Sequence, residues 1–253
     1  MFKMYQCVFH SAKISIFAHK FYKMMKKIQI LCLAVLSMVF FSSCKDDSGT
    51  YAGQLFTNSE KAAAIKACLN SSLDTAVAHL CTSGGFSEYN DGLYKLDFSA
   101  NQAMMDTLAA HGFGNLSDSL ILHTNRMAES CYTVVKSSVG DAIDNLVVYD
   151  YDALIKGGDY AITDYFAEMK GNAIKEAMRS QVQIRMNVFG VDNIWNDMVG
   201  KYYSITNQPV NYDLQGYILT KMLNGILEEM RNEEYMIRYD ETHRVSADSL
   251  LGL

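Results

Sequence analysis

Apolar residues recur at every third or fourth position along most of the chain after Ser59, which is the spacing of one face of an α-helix. Ile65, Leu69, Leu73, Ala76, Val77 and Leu80 share a face behind Ser59, which can cap the first turn, and Gly84-Gly85 closes the run. "FSEYNDGLYKLDF" breaks the period and reads as a loop, with a short extended piece at Leu93 to Phe98. Ser99 is placed to cap a second helix carrying Met104, Met105 and Leu108, which stops at Gly112. Leu116, Leu120, Met127, Cys131 and Val134 then stay in register through one long helix or two consecutive ones. A bend is expected near Gly140 and the β-branched run at Thr133 to Val135.

Asp150 should cap a short helix closed by Gly157-Gly158, and Asp159 the next, which extends toward Phe189. Gly190 ends that helix, and Asp192 begins another carrying Ile194, Trp195, Met198, Val199 and Tyr202. "SITNQPVN" is a loop holding the chain's single proline, Pro209. The last helix starts near Asn211 or Asp213 and repeats Leu214, Tyr217, Ile218, Met222, Ile226, Leu227 and Met230. Each stripe must be buried against another, so the pattern predicts an all-α fold, a single-domain irregular bundle of about seven helices over residues 59–253. The methionines in these stripes read as core filling.

The N-terminal pattern differs. "MMKKIQILCLAVLSMVFFSSCKDD" places two lysines before an apolar run from Ile28 to Phe41, then small residues, a cysteine and acids. The run falls short of the roughly 20 apolar residues a membrane span needs, and its order is that of a secretory signal. Phe41-Ser42-Ser43-Cys44 resembles the lipobox of bacterial lipoproteins, with Phe41 in place of the usual leucine. The resemblance implies that Cys44 receives a diacylglycerol and becomes the first residue after cleavage. Residues 1–43 are then an upstream extension plus a removed signal peptide, with translation starting at Met24 or Met25, and residues 44–58 are the lipidated cysteine and a flexible tether. Two or three acyl chains, at ~0.8 kcal/mol per buried methylene, anchor durably. Lys45-Asp46-Asp47 resembles the signals that send Bacteroidota lipoproteins to the outer surface, and reads equally as a solvated tether.

Charge narrows the partners. All 28 acidic residues follow Cys44, whereas six of the 22 basic ones precede it, leaving 16 against 28, about −12. Such a body does not suit nucleic acid, whose phosphates need a basic face. Besides the anchor, three cysteines follow the leader: Cys68, Cys81 and Cys131. Cys68 and Cys81 share a helix about 20 Å apart, beyond disulfide reach, so the cysteines read as small buried apolar side chains.

"LDTAVAHL", "NRMAES", "LIKGGDYAITDYF", "VGKY" and "EEYMIR", followed by Arg244 and the late "LL", occur in an order that is similar to the domain-of-unknown-function 4197 family (DUF4197) of bacterial lipoproteins. The resemblance runs from about Ile65 to the end and implies an all-helical secreted fold without supplying a reaction. Relatives often carry proline where Thr133 and Ser137 stand and Asp-Pro where Asp240-Glu241 stand, and this chain departs from that pattern.

Motifs for chemistry are sparse. No P-loop, dinucleotide-binding glycine pattern, nucleophile elbow or zinc-protease helix is present. "LIKGGDYAITDYF" could expose helix N–H groups to an anion, but a helix stop joined to a helix start explains it more simply. His123, Arg126 and Glu129 follow at i, i+3 steps. With Asn125, and with Asp159 and Arg238 from other helices, they form a candidate polar cleft, against the plainer reading of a structural ion pair. Asp240 and His243 are too few ligands for a metal, and neither a metal nor a cofactor is expected. Glu228-Glu229 and Glu233-Glu234 read as a solvated face, with a carboxylate dyad as the alternative. The expectation is a helical lipoprotein on the outer membrane, on its periplasmic side or at the cell surface. It binds a protein, a peptide or a small apolar ligand without catalysis. The alternatives are an envelope hydrolase using His123 with Glu129 or Asp159, and a structural lipoprotein.

Overall fold

The computed structural model describes residues 56–247 and 249–252. Cys44, the leader and most of the tether lie outside the described residues. Within them, the apolar stripes become eight helices: α1 Asn58–Leu80, α2 Gln102–Ala110, α3 Gly114–Glu129, α4 Tyr132–Asp144, α5 Tyr151–Ile155, α6 Ala161–Val188, α7 Val191–Thr206 and α8 Leu214–Tyr239. All but α5 are of substantial length. A helical turn at Tyr89–Gly92 and three short 3-10 segments complete the regular structure, and no strand occurs among the described residues.

α1, α4, α6 and α8 pack in a closed ring, each against its neighbours, and α2, α3 and α7 form a second group joined to it through α6. The predicted stripes of α1 and α8 lie in the core, and α4 and α6 add residues that were not singled out in the sequence. Ile65, Leu69 and Leu73 of α1 and Ile218, Met222, Ile226 and Met230 of α8 are buried together with Phe166, Met178 and Val182 of α6 and Val135, Val139 and Ile143 of α4. Burying a side chain of this size contributes about 1.5–3 kcal/mol, so these stripes supply the main driving force.

Several helix ends differ from the sequence expectations. Thr57, two residues before Ser59, caps α1: its hydroxyl accepts from the Glu60 N–H while the Glu60 carboxylate accepts from the Thr57 N–H at 2.8 Å, a reciprocal capping box. α1 stops at Leu80, before the glycine pair. The break between α3 and α4 falls at Ser130-Cys131, where the Ser130 hydroxyl donates to the Met127 carbonyl at 2.7 Å. Gly140 lies inside α4, and Thr133 and Ser137 let that helix run uninterrupted.

Asp159 does not cap α6. The buried Glu234 carboxylate of α8 accepts from Ile162 N–H at 3.0 Å and Thr163 N–H at 2.7 Å in its place, a cap supplied by another helix. α7 begins at Val191, one residue before Asp192, behind Gly190 at φ +70°. Asp150 and Asp213 cap α5 and α8 as expected, accepting from Ala153 and Gly216 N–H at 3.0 and 2.8 Å. Phe98 is left-handed at φ +57°, and residues 95–98 pair with no strand among the described residues. The buried Asn125 amide takes the place of one, accepting from Leu96 N–H at 3.0 Å and donating to Leu96 C=O at 3.1 Å.

Candidate functional site

Of the six residues of the sequence-predicted cleft, Arg126 and Glu129 meet and the other four go elsewhere. Arg126 donates to Glu129 at 3.0 Å and to the Ser83 hydroxyl at 2.8 Å, while Ser87 donates to the other Glu129 oxygen at 2.8 Å. That local network ties α3 to the loop after α1. Asn125 clamps Leu96. His123 Nδ1 lies 2.7 Å from the Phe189 carbonyl. Arg238 pairs with Glu234 at 2.7 Å and donates to the Leu154 and Ile155 carbonyls that end α5. Asp159 accepts from the Tyr239 hydroxyl at 2.6 Å. Among the described residues no hydrogen bond joins His123 to Glu129 or Asp159.

The acids of α8 correct the solvated-face reading. Glu229, Glu233 and Glu234 are buried, and only Glu228 is exposed. Glu229 collects His79 Nδ1 at 2.6 Å and the Tyr89 hydroxyl at 2.8 Å on one oxygen, and the Tyr94 hydroxyl at 2.8 Å and Asn232 at 3.3 Å on the other. The turn between the two tyrosines is left-handed, with Asn90, Asp91 and Gly92 at φ +51°, +56° and +75°. After glycine, Asn and Asp are the residues that adopt this region most readily, and here it brings both rings over one carboxylate. Burial pushes the Glu229 carboxyl up, but the four donors outweigh it and hold the group below the usual carboxylate range. Burial first, then the Glu229 bond, pushes the Tyr89 phenol up to about 12.

A buried carboxylate aiming a partly exposed imidazole is half of a general-base constellation. The hydroxyl at the His79 ring, however, is the Tyr89 phenol, 3.0 Å from Nδ1 and already donating to Glu229, while the Thr82 hydroxyl goes to the His79 carbonyl at 3.2 Å. The cluster acts as a staple joining α1, the 89–94 turn and α8. Cys81 and Cys131 are buried free thiols pushed up by burial to about 12 and 11, which suppresses the nucleophilic thiolate. Among the described residues no three His, Cys, Asp or Glu side chains group to hold a metal, and no helix is long and apolar enough to cross a membrane.

Two open clefts flank the outer side of α8. A cleft of about 480 Å³ runs between α6 and α8, lined by Glu168, Gly171, Asn172 and Lys175 on one wall and Asn224, Leu227, Glu228 and Arg231 on the other. A second cleft of about 340 Å³, lined by Leu93, Tyr94, Lys95 and Lys221, shares Asn224 and Glu228 with the first. Asn224, Glu228, Arg231, Tyr235 and Tyr239 succeed one another at helical spacing along this stripe. Sequence reasoning overlooked the stripe because its polar and aromatic residues read as an ordinary wet face.

Compared with protein families, residues 55–251 match the one described as "Protein of unknown function (DUF4197)". No curated protein and no solved structure matches the chain.

Proposed function

The chain belongs to the DUF4197 family, and from that premise we propose that it is a lipid-anchored envelope protein whose helical domain binds a partner along the outer face of α8 without catalysing a reaction. The observation that supports a binding role is the division of labour on α8. Its inward carboxylates, Glu229 and Glu234, are saturated by protein donors and hold the fold. Its outward residues, from Asn224 to Arg231, line open clefts on both sides of the helix. A carboxylate already accepting several protein hydrogen bonds is a poor general base, whereas an open polar cleft of this size suits recognition. Those polar walls do not favour an apolar ligand, which would leave them unpaired.

The anchor is the Cys44 thiol, supported by the order of residues around it. Metabolic labelling with a radioactive fatty acid should mark the protein and spare a Cys44→Ala variant. Binding is tested by exporting the protein without its lipid, on a leader cleaved before Lys45, and asking whether it stays on washed envelopes. Retention is expected, and a Gly171→Trp change should abolish it, since a Cβ at Gly171 meets nothing within 4 Å and the indole would fill the cleft. Complete release of the unlipidated protein would refute the binding role.

A further inference from the structure

Five helix ends meet at one end of the four-helix ring. The first half of α1 reaches the end of α4 through Lys66 and the Asp144 carbonyl at 2.8 Å, and the start of α5 through Lys61 and Asp152 at 2.6 Å. The end of α8 reaches the end of α5 through Arg238 and the start of α6 through Tyr239 and Asp159. Tyr165 of α6 donates to the Val147 carbonyl, in the loop after α4, at 2.8 Å. Exposed apolar and aromatic side chains collect at this same end. Val147, Tyr149, Tyr160, Tyr235, Tyr239 and Val245 are six of the thirteen large hydrophobic side chains exposed among the described residues, a concentration that marks a contact face. Tyr149 is 80% exposed, and Tyr160, Tyr235 and Tyr239 stand ring to ring at 6.4 and 4.7 Å.

We infer that this end of the domain rests on the membrane surface, with Tyr149, Tyr160, Tyr235 and Tyr239 in the headgroup layer. The inference rests on the lipid anchor proposed above and names the face through which the anchored domain meets the bilayer. The chain enters the domain at this end: Phe56, just before α1, comes twelve residues after Cys44. A flexible tether of that length has an r.m.s. span of about 20 Å, so acyl chains on Cys44 hold this end close to the bilayer. The opposite end of α6, at Val188, is about 42 Å along the helix from Tyr160. Tyrosine suits the interface, where its ring meets apolar surface while its hydroxyl stays wet. Charge here is mostly paired: Asp152 lies between Lys61 and Lys156, Asp159 accepts from Tyr239, and Arg244 donates to the carbonyls that end α8. Glu241 stays exposed, so this end leans acidic and suits a zwitterionic surface better than an anionic one. Asn224, in the wall of both clefts, is about 22 Å further along α8 from Tyr239, so a partner there and the bilayer here do not compete.

The test supplies the lipid chemically. The chain from Cys44 onward is coupled through the Cys44 thiol to a maleimide-bearing lipid in vesicles of phosphatidylcholine brominated on its acyl chains, which quench a tryptophan lying at the membrane. Trp195→Phe removes the single native tryptophan, and one probe at a time is added to that background. Tyr149→Trp and Tyr239→Trp should each be quenched at least fivefold more strongly than Val188→Trp, which is exposed at the far end of α6. Thermal midpoints equal to that of the Trp195→Phe parent show that the fold is intact. Equal quenching at the three positions, strongest quenching at Val188, or none at any of them would overturn the inference. Because the lipid is attached by hand, such a result leaves the cellular anchor standing. If fatty-acid labelling in cells does not depend on Cys44, the anchor falls and takes this inference with it.

Discussion

Replacing the buried Glu234 by alanine should be among the most damaging single changes in the C-terminal half of α8. Its carboxylate is fully buried and meets four donors: Ile162 and Thr163 N–H, and Arg238 through Nε at 3.0 Å and Nη2 at 2.7 Å. Removing one partner of a buried ion pair costs about 3–5 kcal/mol, because the other charge stays behind unpaired. Two orphaned N–H groups at the start of α6 would each add about 1–3 kcal/mol if nothing relaxed. The losses overlap, so about 4 kcal/mol is a fair lower figure, against a typical total stability of about 5–15 kcal/mol. With a slope of about 2 kcal/mol per molar urea, the unfolding midpoint falls by about 2 M. Glu234→Gln keeps one acceptor and should lose about half as much. A double Glu234→Leu, Arg238→Met variant removes both charges and should be more stable than Glu234→Ala. Urea unfolding followed by circular dichroism measures all three. A Glu234→Ala midpoint within 0.5 M urea of the wild type, at about that slope, would show that the cap from α8 is not what holds α6.

Other changes separate the remaining contacts. The Glu229 carboxyl is held below its unfolded value, so its contribution is present above pH ~4.3 and lost as pH falls below that. The stability gap between wild type and Glu229→Gln should therefore narrow between pH 6 and pH 3, and a constant gap would contradict the assignment. Gly157→Ala should cost about 1–3 kcal/mol because its Cβ would lie 2.6 Å from both the Ala153 carbonyl and the Ala161 methyl. Gly158→Ala, in open space, should change thermal stability by less than about 0.5 kcal/mol. Asn125→Ala unpairs the buried Leu96 N–H and C=O and should lose about 2–3 kcal/mol, with Asn125→Asp failing to restore it. Cys81 and Cys131 should resist iodoacetamide at pH 8 in the folded protein and react in urea; labelling at free-thiol rates without denaturant would contradict their burial.

The bundle was legible in the sequence because apolar period is a local property. Ile65 to Leu80 and Leu214 to Met230 could be placed on buried faces without knowing their partners, and they are buried there. What escaped was set by residues far apart in the chain. Glu229 meets His79 across 150 positions, and Glu234 meets Ile162 across 72, so nothing next to either glutamate marks it as interior. Asp159 had the local form of a cap, yet a carboxylate from another helix occupies the N–H groups it was expected to take. The i, i+3 pair of Arg126 and Glu129 was visible for the opposite reason, since both halves lie on one turn. Asn125, adjacent to Arg126, faces another direction and meets Leu96, while His123, six residues before Glu129, lies about 120° round the helix from it and meets Phe189.

Photo-crosslinking in living cells tests the proposed binding role most directly: that the outward stripe of α8 is the surface the domain presents to a partner. A photoreactive residue at Asn224, in the wall of both clefts, should yield a discrete adduct. The same residue at the exposed Asp118 of α3 should yield none. Equal adducts from both positions, or none from Asn224, would contradict it.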